Sequence, residues 1–429
     1  MTISPQQPGD HSDSSLAGSA KGSAEGSVCD RVKAGHTAIF GSEPTLVASA
    51  PTTWSLLGEH VDVVGGIVLV ASSDLRVGIA ASPRSDNNIS VSVNGAKPNH
   101  IAMGDVSDFA FSVLDARDKT ESVPSPHGSW PERLGGVVWS LIFRQLLPRD
   151  TPGFNIAVES EAPVDWGLGV HAAAEVAFAS ALVVDDENRG DYPLRVRVAE
   201  ACFQSAAIFS ATPALRARYT AALRSMDGQI SVVDYKDESV THTPHIAGRN
   251  TVVFAVNTPH NPGGQIPEEM ARRLDFIDKA TRAFGVESLR HLPDAAPRVR
   301  DWLEAVHKVH GPSGVPSLQE ATRWLEFFEA ETRRAQSMVP LLRSRNVAEL
   351  SDIVAASQRA LNDDYSVSGT DSALAQLCRS RGAVTARSAH AGVSNAVIAV
   401  VEATHASNFA ADLVDDGLEV IELRPGTAA

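Results

Sequence analysis

The sequence predicts an α+β protein made of two mixed halves. Three observations carry that prediction. Short β-branched runs alternate with helix-length amphipathic segments in both halves of the chain. No internal repeat appears, and no apolar stretch approaches the ~20 residues that would span a bilayer. At 429 residues, with 43% apolar and 21% charged side chains, the chain has ordinary globular composition. That length holds roughly two or three cores. The net charge of −15 excludes wrapping nucleic acid or resting on an anionic membrane, because both need positive potential. Cys29, Cys202 and Cys378 are too few and too scattered for a disulfide framework. No apolar run follows a basic cluster at the start, so no secretory signal is expected and the location expected is cytoplasmic.

Taken in order, residues 1–29 are mostly Ser, Gly, Ala and Asp and are expected to form a mobile tail, since they have too little apolar surface to offset ordering. Residues 45–50 and 54–57 read as strand, and 65–71 and 76–81 as two short β-branched strands. Helical spacing of Leu134, Val137, Val138, Leu141, Ile142 and Leu146 predicts a helix over 130–147. Residues 154–160 alternate as a half-buried strand, followed by helices over 172–184 and 196–209. Strands are expected at 229–235 and 251–256, with an amphipathic helix at 268–284 and further helix over 325–350. A buried strand at 396–402, a last helix and a strand at 418–423 complete the pattern. Cys202 and Cys378 lie on apolar helices and read as core, and Trp54 reads as a packed strand residue.

Three segments could carry chemistry. Leu57-Gly58-Glu59-His60-Val61-Asp62 is a glycine-bounded turn between apolar runs. It would project Glu59, His60 and Asp62 into one space, suited to gripping sugar hydroxyls; a solvated polar turn is the other reading. Residues 163–175 give a strand, a glycine-bearing loop and a helix start, the order that offers free N–H groups and a helix dipole to a phosphate. The loop residues Gly167, Leu168, Gly169, Val170, His171 and Ala172 are the candidate nucleotide contacts. The same stretch matches a dinucleotide fingerprint, which is set aside. Residues 163–166 separate the strand from its first glycine, and Asp185 and Asp186 follow too soon. The third segment, residues 389–395, is a run of small residues before a buried strand and reads by itself as a tight turn.

In this order and at these separations, the segments resemble the three motifs of the GHMP sugar-kinase superfamily, and specifically those of its galactokinase family. Residues 50–66 resemble the galactokinase signature, and residues 163–175 the phosphate loop without gaps. Met226-Asp227 resembles the Met-Asp-Gln segment, residues 362–368 the Asp-Asp-Tyr segment, and residues 382–401 the glycine-rich third motif with its strand. The resemblance implies a two-domain fold. A mixed sheet with helices would occupy 30–245, a ferredoxin-like α/β sandwich 246–429, and the active site the cleft between them. It implies ATP-dependent phosphorylation of a sugar's anomeric hydroxyl to the sugar 1-phosphate, with ATP and Mg²⁺ as cofactors. In that scheme Glu59, His60 and Asp62 bind galactose or a related sugar, Asp227 is the base, and Glu175 the magnesium ligand.

The departures shape the functional expectation. Thr53 stands where the family carries an arginine beside the reacting hydroxyl. Gly169, Val170 and His171 replace three serines of the phosphate loop, Asp165 replaces a glycine, and Trp166 is bulky. His390-Ala391-Gly392-Val393-Ser394-Asn395 replaces a nearly all-glycine turn. The sugar grip is intact while phosphate handling is eroded. The expectation is therefore a sugar-binding protein with kinase activity reduced or lost and no cofactor if inactive. The alternative is an active sugar kinase with a modified ATP site. A monomer or weak homo-oligomer is expected, with a protein partner if the chain is a sensor. His171 and His390, with Asp165 or Asp227, could form a transition-metal site; two unrelated histidines is the other reading.

Overall fold

In the computed structural model, Ser27 caps the first helix, α1 (Val28–Phe40). Its side chain accepts from Asp30 N–H while the Asp30 carboxylate takes Ser27 N–H. The structure describes residues 26–119, 123–185, 187–188, 190–259, 267–367 and 369–429. Residues 1–25 of the expected tail, Asp186 and Ser368 lie outside them. The expected end of the tail is corrected: Val28 and Cys29 begin α1, because Val28 and Val32 bury themselves against β2, where Gly78 leaves room for them.

The first half continues with β1 (Leu46–Leu57), β2 (Ile67–Pro83), β3 (Asn88–Val93), β4 (Asn99–Ala102), α2 (Met103–Lys119), α3 (Trp130–Phe143) and β5 (Phe154–Ser160). It closes with α4 (Val170–Val183), α5 (Tyr192–Phe209), α6 (Arg216–Arg224), β6 (Gln229–Asp234) and β7 (Ser239–Pro244). Seven strands form one mixed sheet in the order β4-β3-β5-β2-β6-β7, with β1 also paired to β2. Among the described residues, β3 and β5 make the sheet's only parallel pair. The first core packs this sheet against α3, α4 and α5. Ala173, Ala174, Ala177 and Ala179 let α4 approach closely, while Phe178 fills the remaining space.

The two strands expected at 65–71 and 76–81 are one 17-residue strand, β2. The polar link between them is buried, because its hydroxyls find partners: Ser72 Oγ donates to Ser225 Oγ, and Ser73 Oγ pairs with Thr52 Oγ1. Likewise the two pieces expected for the preceding strand form the single β1, whose register shifts after Pro51, a residue with no N–H to give the ladder.

The second half holds β8 (Thr251–Asn257), α7 (Pro267–Phe284), α8 (Ala295–His310), α9 (Leu318–Ser344), α10 (Val347–Asp363), α11 (Asp371–Ser380), β9 (Thr385–Ser388), β10 (Val397–Glu402), α12 (Ala406–Asp415) and β11 (Glu419–Leu423). Its sheet is antiparallel in the order β11-β8-β10-β9. Counted within this half the order is 4-1-3-2, with helices before the second and fourth strands, which is the ferredoxin-like arrangement. The helix expected over 325–350 is two helices, α9 and α10, parted at Arg345 in the left-handed region (φ 55°). Cys202 and Cys378 are both fully buried in apolar clusters, and Trp54 is buried edge-on to His245.

Candidate functional site

The halves meet where the turn after β1 touches β9, α9 and α10. Glu59 is buried there, with Oε2 accepting from Arg387 Nη1 at 3.2 Å and Oε1 from Ala391 N–H at 3.1 Å. Arg387 also donates to Ser357 Oγ and stands 3.5 Å from Glu331. Glu331 in turn accepts from Gly58 N–H, Ser357 Oγ and Arg334. A buried alternation of charge, Glu59–Arg387–Glu331–Arg334, thus stitches the first motif to the second half. Burial would push the Glu59 carboxyl up, but the Arg387 guanidinium, aided by His60, holds it well below the usual carboxylate range.

His60 is buried beside Glu59, with Nε2 3.4 Å from Oε1 but not aligned for a hydrogen bond. Its ring lies 5.3 Å from Tyr365 and 6.3 Å from His390, to which it is stacked. Asp62 turns away from this cluster. Its Oδ2 accepts Arg216 N–H at the start of α6 and its Oδ1 accepts Val63 N–H, while burial raises its carboxyl. It lines a separate cavity of about 250 Å³ with Tyr235 and His291. The turn therefore gathers Glu59 and His60 but does not bring Asp62 into their space.

A cavity of about 360 Å³ opens beside His390, between the loop over 164–172, the segment entering α6 and the third motif. Gly167 and Gly169 shape its floor, both at φ 67°. A Cβ on Gly169 would stand 2.7 Å from both Arg218 Nη1 and Thr53 Oγ1, and one on Gly167 2.8 Å from His390 Cβ, so only glycine fits. Gly169 also begins α4, placing the N–H groups of Val170, His171 and Ala172 at the helix's positive end. Leu168 is buried in the first core, and its carbonyl accepts Thr53 N–H. Val170 and Ala172 line the cavity, but their side chains carry no hydroxyl.

Arg218 reaches across this floor. Its guanidinium donates to Thr53 O and, at 2.7 Å, to Gly167 O, and burial lowers its pKa to about 10. Glu175 is buried behind the loop, paired with Arg133 at 2.7 Å and accepting from Tyr219 Oη at 2.7 Å, with its carboxyl raised by burial. His171 packs its ring 4.5 Å from Trp130 and is held neutral by burial and by Arg133, its pKa lowered to about 3. His390 is pushed well below the ordinary imidazole value, chiefly by burial and then by Arg218. Both histidines line the cavity, and exposed Asp165 joins them. No group of three or more His, Cys, Asp or Glu able to hold a metal occurs among the described residues. Trp166, expected to crowd the loop, is buried in the first core instead.

Asp227 is not brought here. It is exposed on the turn between α6 and β6, with about 9 Å of helix separating Arg218 from the end of α6. The helix presents Arg218 inward and releases the chain to solvent before Asp227. The residues sequence reasoning missed are Arg133, Arg218, Tyr219, Glu331 and Arg387. Arg133 was findable, because it stands four residues before Val137 on the apolar stripe of α3. Arg387 was too, as the one long charged side chain in a run of small residues before the third motif. Nothing local marks Arg218.

Residues 34–83 match the family model described as the galactokinase galactose-binding signature. Galactokinase of Streptomyces coelicolor is 25% identical over 379 residues, covering 85% of this chain and 87% of that protein. Human galactokinase is 26% identical over 333 residues, covering 77% and 76%. Among solved structures, Lactococcus lactis galactokinase complexed with galactose superposes with a TM-score of 0.69 at 17% identity, covering 94% of this chain and 99% of that one. A mevalonate kinase matches at 0.54 and 12%, covering 89% and 100%. These two show the shared fold. Galactokinases in general use ATP and Mg²⁺. No helix among the described residues is long and apolar enough to cross a membrane. By signature, relatives aligned over most of its length and shared fold together, the chain is similar to galactokinases.

Proposed function

We propose that this chain binds galactose or a related sugar between Glu59–His60 and the third motif, and that phosphoryl transfer from ATP is reduced or lost. One observation carries the sugar reading. His60 Nε2, His390 Nε2 and Thr53 Oγ1 are buried and lack hydrogen-bond partners among the described residues. Buried polar atoms are rarely left unsatisfied, and a hydroxyl-rich ring supplies both donors and acceptors.

The residues present do not fit a magnesium-bound triphosphate. Glu175 is ion-paired with Arg133 at 2.7 Å through Oε1 and accepts from Tyr219 at Oε2, so the expected magnesium ligand is committed to the fold. Thr53 carries no charge, Gly167 O is taken by Arg218, and His390 and Ser394 pack where the loop would open. Phosphoryl transfer depends on positioning and electrostatic stabilisation. Each lost charge-assisted contact costs ~1.5–3 kcal/mol, about ten- to a hundredfold in rate. One observation favours the second reading, an active kinase with a modified ATP site: Arg218 brings a guanidinium against Thr53, where the family's own is lost.

On this reading the chain is a cytoplasmic sugar sensor, a monomer or weak homo-oligomer acting through a protein partner. The two sheets suggest units of 30–245 and 246–429. Ligand-induced shifts in thermal unfolding test it. A shift with galactose or a related sugar and none with ATP–Mg²⁺ supports it; the reverse pattern overturns it.

A further inference from the structure

A further cavity, of about 410 Å³, lies between the turn over 289–292, the start of α8 and one face of α9, and shares no lining residue with the cavity beside His390. Val64, Leu289, Leu292, Leu325 and Phe328 are buried and give it an apolar floor. Thr332 interrupts that floor. It is 8% exposed, yet its hydroxyl makes no hydrogen bond among the described residues. Thr281 and Thr322, also on helices, donate to the carbonyl four residues back. A buried hydroxyl left open to a cavity calls for a partner from outside.

The rim carries charges that the protein does not neutralise. Glu329 and Arg333 stand about one turn apart on α9, in the order that favours an ion pair. They form none among the described residues, and Arg333 Nε donates instead to the Glu329 backbone carbonyl at 3.4 Å. Arg290, the other cation of the rim, is committed to Asp234 at 2.5 Å and to Gly65 O. At the start of α8, Asp294 sits in the left-handed region (φ 51°), and its side chain does not cap the helix. Ala295 and Ala296 line the cavity at the positive end of this 16-residue helix, so their N–H groups have no side-chain cap. A lone anion would meet the carboxylates of Glu329 and Asp294, and a lone cation the guanidinium of Arg333. A molecule bearing both charges above an apolar chain satisfies floor and rim together, and the volume is that of a small-ligand pocket.

We propose that this cavity binds a small apolar α-amino acid. Its side chain lies on the floor, Arg333 and the α8 N-terminus hold its carboxylate, and Glu329 and the Thr332 hydroxyl accept its ammonium. Sugar binding at Glu59 and His60 is a separate event, and neither requires the other.

Calorimetric titration of the full chain with L-leucine, L-phenylalanine, glycine, isocaproate and isoamylamine tests it. Isocaproate keeps leucine's chain and carboxylate without the amine, and isoamylamine keeps the chain and amine without the carboxylate. At least one of the two apolar amino acids is expected to bind saturably, with glycine and both truncated analogues about tenfold or more weaker. Glu329→Gln and Arg333→Gln should each weaken the amino acid about fivefold or more. Glu326→Gln, which removes an exposed acid of α9 outside the cavity, should not. No saturable binding of either apolar amino acid up to about 10 mM, an analogue that binds as tightly, or an affinity unchanged in Glu329→Gln or in Arg333→Gln overturns the proposal. Glu329 and Arg333 are exposed, so their variants should fold as the wild type does, which circular dichroism checks.

Discussion

Replacing Arg387 with methionine removes the cation that Glu59 and Glu331 share. The side chain is 3% exposed, so water cannot take its place. Glu331 keeps Gly58 N–H, Ser357 and its ion pair with Arg334, but Glu59 keeps only Ala391 N–H and the nearby His60, and lies buried near a second carboxylate with no guanidinium of its own. Removing one partner of a buried pair costs ~3–5 kcal/mol, and that is the loss expected at neutral pH. The pH dependence gives a sharper signature. In the wild type Glu59 has a folded-state pKa below its unfolded value, so its contribution is fully present above the unfolded carboxyl pKa of 4.5 and is lost as pH falls through the folded value. Without Arg387 burial dominates and the folded pKa rises above the unfolded one, so stability now falls as pH rises. The gap between wild type and variant is therefore largest near neutral pH and shrinks toward about pH 4. Urea unfolding followed by tryptophan fluorescence at several pH values measures it. Adding Glu59→Gln to Arg387→Met should recover at least about 1 kcal/mol through the coupling term. A loss below about 1 kcal/mol at neutral pH, or one independent of pH, refutes the assignment of Arg387 as the clasp.

Three further outcomes follow from the same geometry. Gly169→Ala strains a left-handed residue and drives a Cβ into Arg218 and Thr53, so a loss of ~2–3 kcal/mol in unfolding free energy is expected. Gly104→Ala, with open space around it and an ordinary φ, is the control and should stay within about 0.5 kcal/mol. Millimolar Mg²⁺ without nucleotide should leave the melting temperature unchanged, since the Glu175 carboxylate is buried and already ion-paired with Arg133; a saturable shift would show that it is available. His171, His245 and His390 all have folded pKa values lowered by burial, to about 3 and about 4 for the first two. The unfolded chain protonates them near 6.5 while the folded one does not, so stability should decline as pH drops below 6.5, by at most ~1.4 kcal/mol per pH unit for each histidine. Replacing His390 with glutamine should flatten that decline.

Much of the architecture was legible in the sequence because apolar runs of distinct period mark buried elements whatever their neighbours. Residues 154–160 form a strand at the expected bounds, α7 begins one residue before its expected start, and α5 ends where expected but begins four residues earlier, at Tyr192. What stayed hidden depended on partners far away in sequence. The serines inside β2 look like a break until Thr52 and Ser225 are seen to satisfy them. Arg345 parts α9 from α10 by adopting a backbone region that no local residue announces. At the site, Glu59 and His60 were legible as polar side chains on a glycine-bounded turn. Arg218 was not, since its significance lies in the carbonyls of Thr53 and Gly167, 165 and 51 residues away. Asp62 and Asp227 share the opposite fate. Short motifs flagged both, and the fold spends one on the start of α6 and leaves the other in solvent.

Turnover tests the proposed weakening of phosphoryl transfer most directly. Purified full chain supplied with ATP, Mg²⁺ and a saturating sugar that it demonstrably binds should release ADP no faster than in the sugar's absence. Sugar-dependent release within the ordinary enzyme range, roughly 1–1,000 per second, would contradict the proposal that the sugar grip has persisted while phosphoryl transfer has been reduced or lost.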